Sequence, residues 1–374
     1  MKHLVFVCPY DGNEKARYKH LIEYISNYQF NSEVDVNFIS SDTEFEKWLN
    51  QLHYYTMEYL INIRMVFVIH LDVTGINLTH MSILKRIESV SDCLSGIVAG
   101  IIIDGDSELH TKNIARQTAY ILSQHGCLIP GGAFCEATGS LKNCRYKASN
   151  LKLTLKDAYF KCSIDTILNV INFENPNYAE TSNRKKNLLC LYAGNKNTSN
   201  TYMYWSLIKD NLKNKNVHID EINLRNGEIS DCTGCSFEVC QHFSEKSSCF
   251  YGGVIVEKVY PAVINCDALI ILCPNYNDSI SANIMAFINR LTALYRKMSF
   301  NRKYLFSLVV SGYSGGDILA EQLISSLNFN KGFILPAKAI STVTANDSGE
   351  ILKYPDIRDK ALDICNNISG CLNV

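Results

Sequence analysis

Short apolar runs alternate with stretches in which apolar residues recur every three to four positions, and the alternation continues along the whole chain. In the first half, residues 3–8, 33–39, 64–69, 97–103 and 126–129 read as strands. Residues 13–27, 79–90 and 111–125 between them read as helices. A polar stretch over 172–187 follows, carrying Pro176 and ending in a basic cluster, as a linker would. The pattern then restarts, with strands predicted at 188–192, 218–223, 268–273, 304–310 and 332–335, and helices at 202–214, 280–295 and 317–327. Buried strands separated by amphipathic helices predict α/β architecture. Each half is expected to be a doubly wound, five-stranded parallel sheet, the first over 1–175 and the second over 186–374.

The halves also echo each other. Residues 101–130 and 308–336 each read as a buried strand, a glycine turn at Gly105 or Gly312, an amphipathic helix and an apolar run ending in proline. Each half closes on a helical run, at 155–171 and 357–372. Internal duplication of one domain explains this better than chance likeness between two α/β segments.

Composition narrows the function classes. The chain has 374 residues, too many for one ordinary core, with 47% hydrophobic and 20% charged residues. A net charge of −1 gives no electrostatic footprint for nucleic acid or an anionic membrane. The opening apolar run meets Asp11 and Glu14 at once, unlike a signal peptide, and no run has the length of a membrane span. A cytoplasmic protein is expected, with neither nucleic acid nor membrane as partner. Most of the fifteen cysteines sit singly in apolar runs and read as small core hydrophobes. Cys232, Cys235, Cys240 and Cys249 differ, because they share one polar stretch.

Three loops of the second half carry chemistry. Each follows a predicted strand, where open α/β sheets bind ligands. The first, Ala193-Gly194-Asn195-Lys196-Asn197-Thr198-Ser199-Asn200-Thr201, opens onto a helix and contains no acid. Unpaired N–H groups, the helix dipole, the hydroxyls of Thr198, Ser199 and Thr201, the Asn200 amide and the Lys196 charge all suit a phosphate, although an ordinary capped turn uses the same residues. The second, Cys273-Pro274-Asn275-Tyr276-Asn277-Asp278-Ser279, offers an aromatic for stacking in Tyr276, and amide or hydroxyl groups in Asn275, Asn277 and Ser279 for a polar ring edge. The third, Ser311-Gly312-Tyr313-Ser314-Gly315-Gly316, permits close backbone approach to a planar ligand. One such loop is weak evidence, whereas three in one domain are not.

These residues resemble the flavodoxin-like NAD(P)H-dependent FMN reductases and the related iron–sulfur flavoproteins. That family's phosphate loop, Gly-Ser-Pro-Arg-x-x-(Gly/Ser)-Asn-Thr, keeps its tail here as Ser199-Asn200-Thr201, while Lys196 stands for the arginine and loses its planar fork. The family's Ser-Pro-x-Tyr flavin loop is similar to Cys273-Pro274-Asn275-Tyr276, and its Phe-Ile-(Asp/Asn)-Arg helix ending to Phe287-Ile288-Asn289-Arg290. The resemblance covers residues 186–340. It implies flavodoxin-like folds and FMN bound by Gly194, Lys196, Ser199, Asn200, Thr201, Pro274, Asn275, Tyr276, Asn277, Ser279, Ser311, Gly312, Tyr313 and Gly315. It further implies NAD(P)H as co-substrate, a small-molecule or protein electron acceptor, and a homodimer or internal pseudo-dimer. No acid–base residue is assigned, because the flavin carries the chemistry.

The four clustered cysteines fall where the iron–sulfur relatives carry a cluster, but the spacing Cys232-x2-Cys235-x4-Cys240-x8-Cys249 is wider. An iron–sulfur cluster, a zinc ion and free thiols all remain open. The first half lacks the second half's loops. Its first loop has Asp11 and Glu14 where a phosphate would sit, and the run from His70 to Thr74 lacks an aromatic. It is expected to be a cofactor-less duplicate serving as scaffold, dimer surface or lid, with His70 and His110 as satisfied structural or surface histidines.

Overall fold

The structure is a computed structural model and describes residues 1–31, 33–177, 184–225 and 229–374. The chain divides into two compact units, Met1–Phe173 and Glu174–Val374. The middle of the expected linker, 178–183, lies outside the described residues. Residues 172 and 173 of that stretch belong to the first unit and 174–177 and 184–187 to the second, where Lys186 already opens a strand and its Nζ donates to Asn177 Oδ1 at 2.9 Å.

In the first unit, strands β1 (Lys2–Val7), β2 (Val34–Ile39), β3 (Ile63–Leu71), β4 (Val98–Gly105) and β5 (Phe134–Ala137) form one parallel sheet in the order β2-β1-β3-β4-β5. In the second, β6 (Lys186–Tyr192), β7 (Val217–Asn223), β8 (Ala268–Pro274), β9 (Tyr304–Ser311) and β10 (Ile340–Thr344) repeat that order, as β7-β6-β8-β9-β10. This is the flavodoxin-like strand order. The central strands β3, β4 and β9 are buried along their whole length, as strands covered by helices on both faces must be.

Both fifth strands differ from expectation in the same way. The runs at 126–129 and 332–335 make one bridge each, Leu128 to Val98 and Ile334 to Tyr304. Pro130 and Pro336 then interrupt the ladder, because proline has no N–H to donate. The chain turns through Gly132 (φ 77°) and Lys338 (φ 50°), then rejoins the sheet as β5 and β10. Register repeats too: His70 faces Asp104 across β3 and β4 as Pro274 faces Val310 across β8 and β9. Shared strand order, register and proline break are what internal duplication produces.

The predicted helices form, with terminal ones at Leu155–Ile171 and Ile357–Leu372. The helix expected over 317–327 runs as Gly316–Leu323 and then widens into i→i+5 turns over Ile324–Phe329. A helix not predicted, Asp42–Leu52, starts from a capping box in which Ser41 and Glu44 satisfy each other's backbone N–H groups. Among the described residues, no helix is long and apolar enough to cross a membrane.

Candidate functional site

The carboxyl ends of β6, β8, β9 and β10 surround a cleft of about 480 Å³, within the range of roughly 300–1,000 Å³ usual for small-molecule sites. Four loops build it. At one end, Ser199 caps the helix Asn200–Leu212, its Oγ accepting from the Tyr202 N–H at 3.2 Å. The hydroxyl proton remains able to donate, and the first turn contains no acid. Thr198, Ser199, Asn200 and Thr201 line this end, where helix N–H groups and the dipole favour an anion.

Two predicted phosphate contacts are committed elsewhere. The Asn200 side chain is buried, donates to the Asp347 carbonyl at 2.8 Å and accepts from the Gly349 N–H at 2.9 Å. Asn200 therefore anchors the loop after β10 instead of offering its amide to a ligand. Lys196 turns away from the cleft, with Nζ 3.5 Å from Glu221 Oε2 and over the rings of Tyr192 and Tyr202. Hydrogen bonds to those two phenols hold its pKa above the ordinary lysine value. Glu221 also accepts from the Trp205 indole at 2.6 Å and Lys209 at 3.1 Å. Burial pushes its carboxyl up, but these partners outweigh burial and hold it below the usual range.

The loop after β8 turns through Asn277 and Asp278, both at positive φ (54° and 53°), which suits short polar side chains in a tight turn. Asn275 ties this loop to the one after β9, donating to Ser311 Oγ at 3.2 Å and the Ser314 carbonyl at 2.9 Å. Gly315 sits at φ 78°, where an added Cβ would run into Asp278. At Gly312 a Cβ would lie 2.8 Å from Asn346 Oδ1, so the two loops meet there only because the side chain is missing. Tyr276 and Tyr313 stand on opposite loops with 61% and 82% of their surface exposed, a large aromatic area open at the cleft.

Nine predicted residues thus line one cleft: Ser199, Asn200, Thr201, Pro274, Asn275, Tyr276, Asn277, Gly312 and Tyr313. Gly194, Lys196, Ser279, Ser311 and Gly315 are not among its lining. Of these, Ser311 is buried and supports Asn275, while Ser279 closes the turn by donating its N–H to the Tyr276 carbonyl at 3.2 Å. Ala345 and Asn346 were missed, because the preceding strand was expected earlier in the chain. The polar run Asn346–Gly349 after the β-branched stretch Ile340–Thr344 was the available signal. Among the described residues, Asp278 is the one carboxylate in the lining, and no lysine or arginine joins it. The donors that the described lining offers to an anion are therefore neutral. Cys273 is buried and its thiol pushed up to about 12 by desolvation, so it is a packed strand end and not a nucleophile.

Cys232, Cys235, Cys240 and Cys249 line a separate cavity of about 160 Å³. The predicted Asn289 and Arg290 ending of the helix Ala282–Tyr295 braces it. Asn289 donates to Asp231 Oδ1 at 3.0 Å, and the buried Arg290 donates to the Ser230 and Gly252 carbonyls at 3.2 and 2.5 Å. Zinc–sulfur bonds of about 2.3 Å would place tetrahedral ligands about 3.8 Å apart. Among the described residues, no three of these sulfurs lie within 4.8 Å of one another.

Residues 187–347 match the NADPH-dependent FMN reductase family, so the resemblance carried by the loops holds for the C-terminal unit. Similar solved structures include RosB with bound 8-demethyl-8-formylriboflavin-5'-phosphate (12% identity, 50% of this chain and 79% of that one, TM-score 0.42). The NAD(P)H:quinone oxidoreductase from Methanothermobacter marburgensis is 13% identical over 51% of this chain and 100% of its own, with a TM-score of 0.37. An FMN-dependent NADH-azoreductase from Bacillus anthracis, in complex with FMN, is 15% identical over 48% of this chain and 100% of its own, with a TM-score of 0.33. No curated protein matches.

Proposed function

We propose that the C-terminal unit binds FMN in this cleft, takes reducing equivalents from NAD(P)H and passes them to an acceptor. The observation that carries this reading is one cleft with two chemically distinct ends. One is an acid-free helix N-terminus with hydroxyls for a phosphate, and the other is a pair of exposed tyrosines for a planar ring. The cradle fits the group, because a Cβ at Gly312 or Gly315 would fill it or displace its walls.

When bound, FMN supplies the hydride- and electron-accepting centre. The chain's own residues do the rest. Ser199, Thr201 and the first N–H groups of their helix hold the phosphate, with the dipole in place of a cationic side chain. Tyr276 and Tyr313 offer faces to the ring. Asn275 fixes the spacing of the two loops that carry them, so little ordering is left for the moment of binding. The N-terminal unit takes no FMN in this reading, since Asp11 and Glu14 occupy its corresponding first loop. Visible absorption of the purified protein tests the proposal. Flavin bands bleached by NADPH or NADH support it, and protein that neither carries nor takes up FMN overturns it.

A second reading, an iron–sulfur flavoprotein carrying electrons between protein partners, is favoured by the four cysteines facing one cavity. Iron and acid-labile sulfide on anaerobically purified protein separate the two. Four of each per chain favours the carrier, and none leaves FMN alone.

A further inference from the structure

The N-terminal unit contains a buried polar cluster that the flavin reading does not use. In β3 and β4, His70 stands directly opposite Asp104. The two-residue period of a strand turns Asp106 to the same face, and its N–H donates to the Leu71 carbonyl at 2.9 Å, which keeps the two chains in register beyond the strand end. The ligand atoms of His70, Asp104 and Asp106 all lie within 4.8 Å of one another. His70 is completely buried, yet among the described residues neither ring nitrogen has a hydrogen-bond partner. Its Nε2 lies 3.5 Å from Asp106 Oδ1, an ion-pair distance without a hydrogen bond. A buried imidazole of purely structural role finds a partner for at least one nitrogen. The expectation of a satisfied histidine fails here.

We propose that His70, Asp104 and Asp106 bind a divalent first-row transition-metal ion. One imidazole and two carboxylates form a nitrogen–oxygen set suited to manganese, iron or zinc. Metal–ligand bonds of about 2.0–2.2 Å bring ligand atoms roughly 3–4 Å apart, a modest contraction from the present spacing. Two cations already touch the carboxylates, and they differ in kind. Arg17 clamps both oxygens of Asp104 at 2.8–3.1 Å and also donates to the carbonyls of Gly105, Thr138 and Gly139, so it is fixed. Asp104 Oδ1 accepts from two Arg17 nitrogens, whereas Oδ2 accepts from Nε alone and keeps a lone pair for a metal; a ligand oriented by such a partner is usual at metal sites. Lys15 reaches Asp106 Oδ2 at 2.9 Å with a side chain 61% exposed, so it can swing into water when a metal enters. The site also replaces the flavin cleft of the other unit, since Pro274 and Val310, the register counterparts of His70 and Asp104, line that cleft.

The test uses the full chain, stripped with a chelator and titrated with Mn²⁺, which thiolates such as the clustered cysteines bind poorly. Calorimetry and manganese electron paramagnetic resonance should report one ion per chain. His70→Gln and Asp106→Asn should each weaken it more than about a hundredfold, beyond the roughly 10–100-fold typical of losing a second-shell partner. Lys15→Ala should tighten it, because it removes the competitor for Asp106. A purely structural ion pair gives no such gain. Thermal melts of each variant establish that it is folded. No stoichiometric Mn²⁺ binding by the wild-type chain, binding unaffected by both ligand substitutions, or weaker binding by folded Lys15→Ala overturns the proposal.

Discussion

Ser199 separates the two tasks of the phosphate loop, because its hydroxyl both caps a helix and faces the cleft. Alanine removes both contributions. Loss of the cap should cost about 1 kcal/mol of stability, and loss of one donor to a charged phosphate about 1.5–3 kcal/mol of FMN affinity. Aspartate is as good a cap as serine, so Ser199→Asp should leave the unfolding midpoint near wild type. Its carboxylate, however, sits where the phosphate must lie. At 4 Å, repulsion per pair of unit charges runs from about 1 kcal/mol in bulk water to about 4 kcal/mol at an effective dielectric of 20. Ser199 is half-buried, which places it between those limits, and the dianion doubles the count. This repulsion adds to the lost donor, so Ser199→Asp should bind FMN at least roughly tenfold more weakly than Ser199→Ala while unfolding later. FMN titration by flavin fluorescence and thermal unfolding measure the two effects on the same samples. Equal FMN affinities for the two variants would place the phosphate elsewhere and remove the loop's assigned role.

Four further outcomes follow from the same geometry. Titration to saturation should give one FMN per chain, and two would show that the N-terminal unit binds flavin despite Asp11 and Glu14. Tyr276→Ala should weaken FMN retention and change the rate of flavin reduction by NAD(P)H, with stability altered by no more than about 0.5 kcal/mol because the ring is exposed; an unchanged spectrum and rate would remove Tyr276 from the site. Gly315→Ala should cost about 1–2 kcal/mol through its left-handed backbone alone, and more where the methyl meets Asp278; a melting point matching wild type would contradict the close loop packing. Burial lowers the His80 pKa to about 3, so the native imidazole stays neutral while the unfolded one takes a proton below about 6.5. Its contribution is complete above that pH and is lost as pH falls toward 3, at about 1.4 kcal/mol per pH unit. Unfolding of the N-terminal unit at pH 7 and 4.5 should show the slope, and His80→Gln should flatten it; an equal slope in both proteins would refute the assignment.

The hydrophobic pattern by itself determined two α/β units, most strand positions and the terminal helices. Strands buried on both faces and helices with one apolar stripe leave their period in the sequence whatever they pack against. The loop residues Ser199, Asn275, Tyr276 and Gly312 were legible for a related reason, since strand-to-helix loops lie at the carboxyl ends of the strands in any such sheet. Only the tertiary structure decided how those side chains are spent. Lys196 and Asn200 are the right types for a phosphate, but Glu221 and the carbonyls after β10 claim them, and neither partner is near in sequence. The fifth strands shifted past Pro130 and Pro336 because sheet pairing is long-range, and an apolar run does not reveal whether its neighbour accepts it as one bridge or a full ladder. The helix Asp42–Leu52 was readable from Ser41 and Glu44, a local signal that was overlooked. His70, Asp104 and Asp106 mark the opposite limit. Their convergence comes from register between adjacent strands, and register is set by the whole sheet.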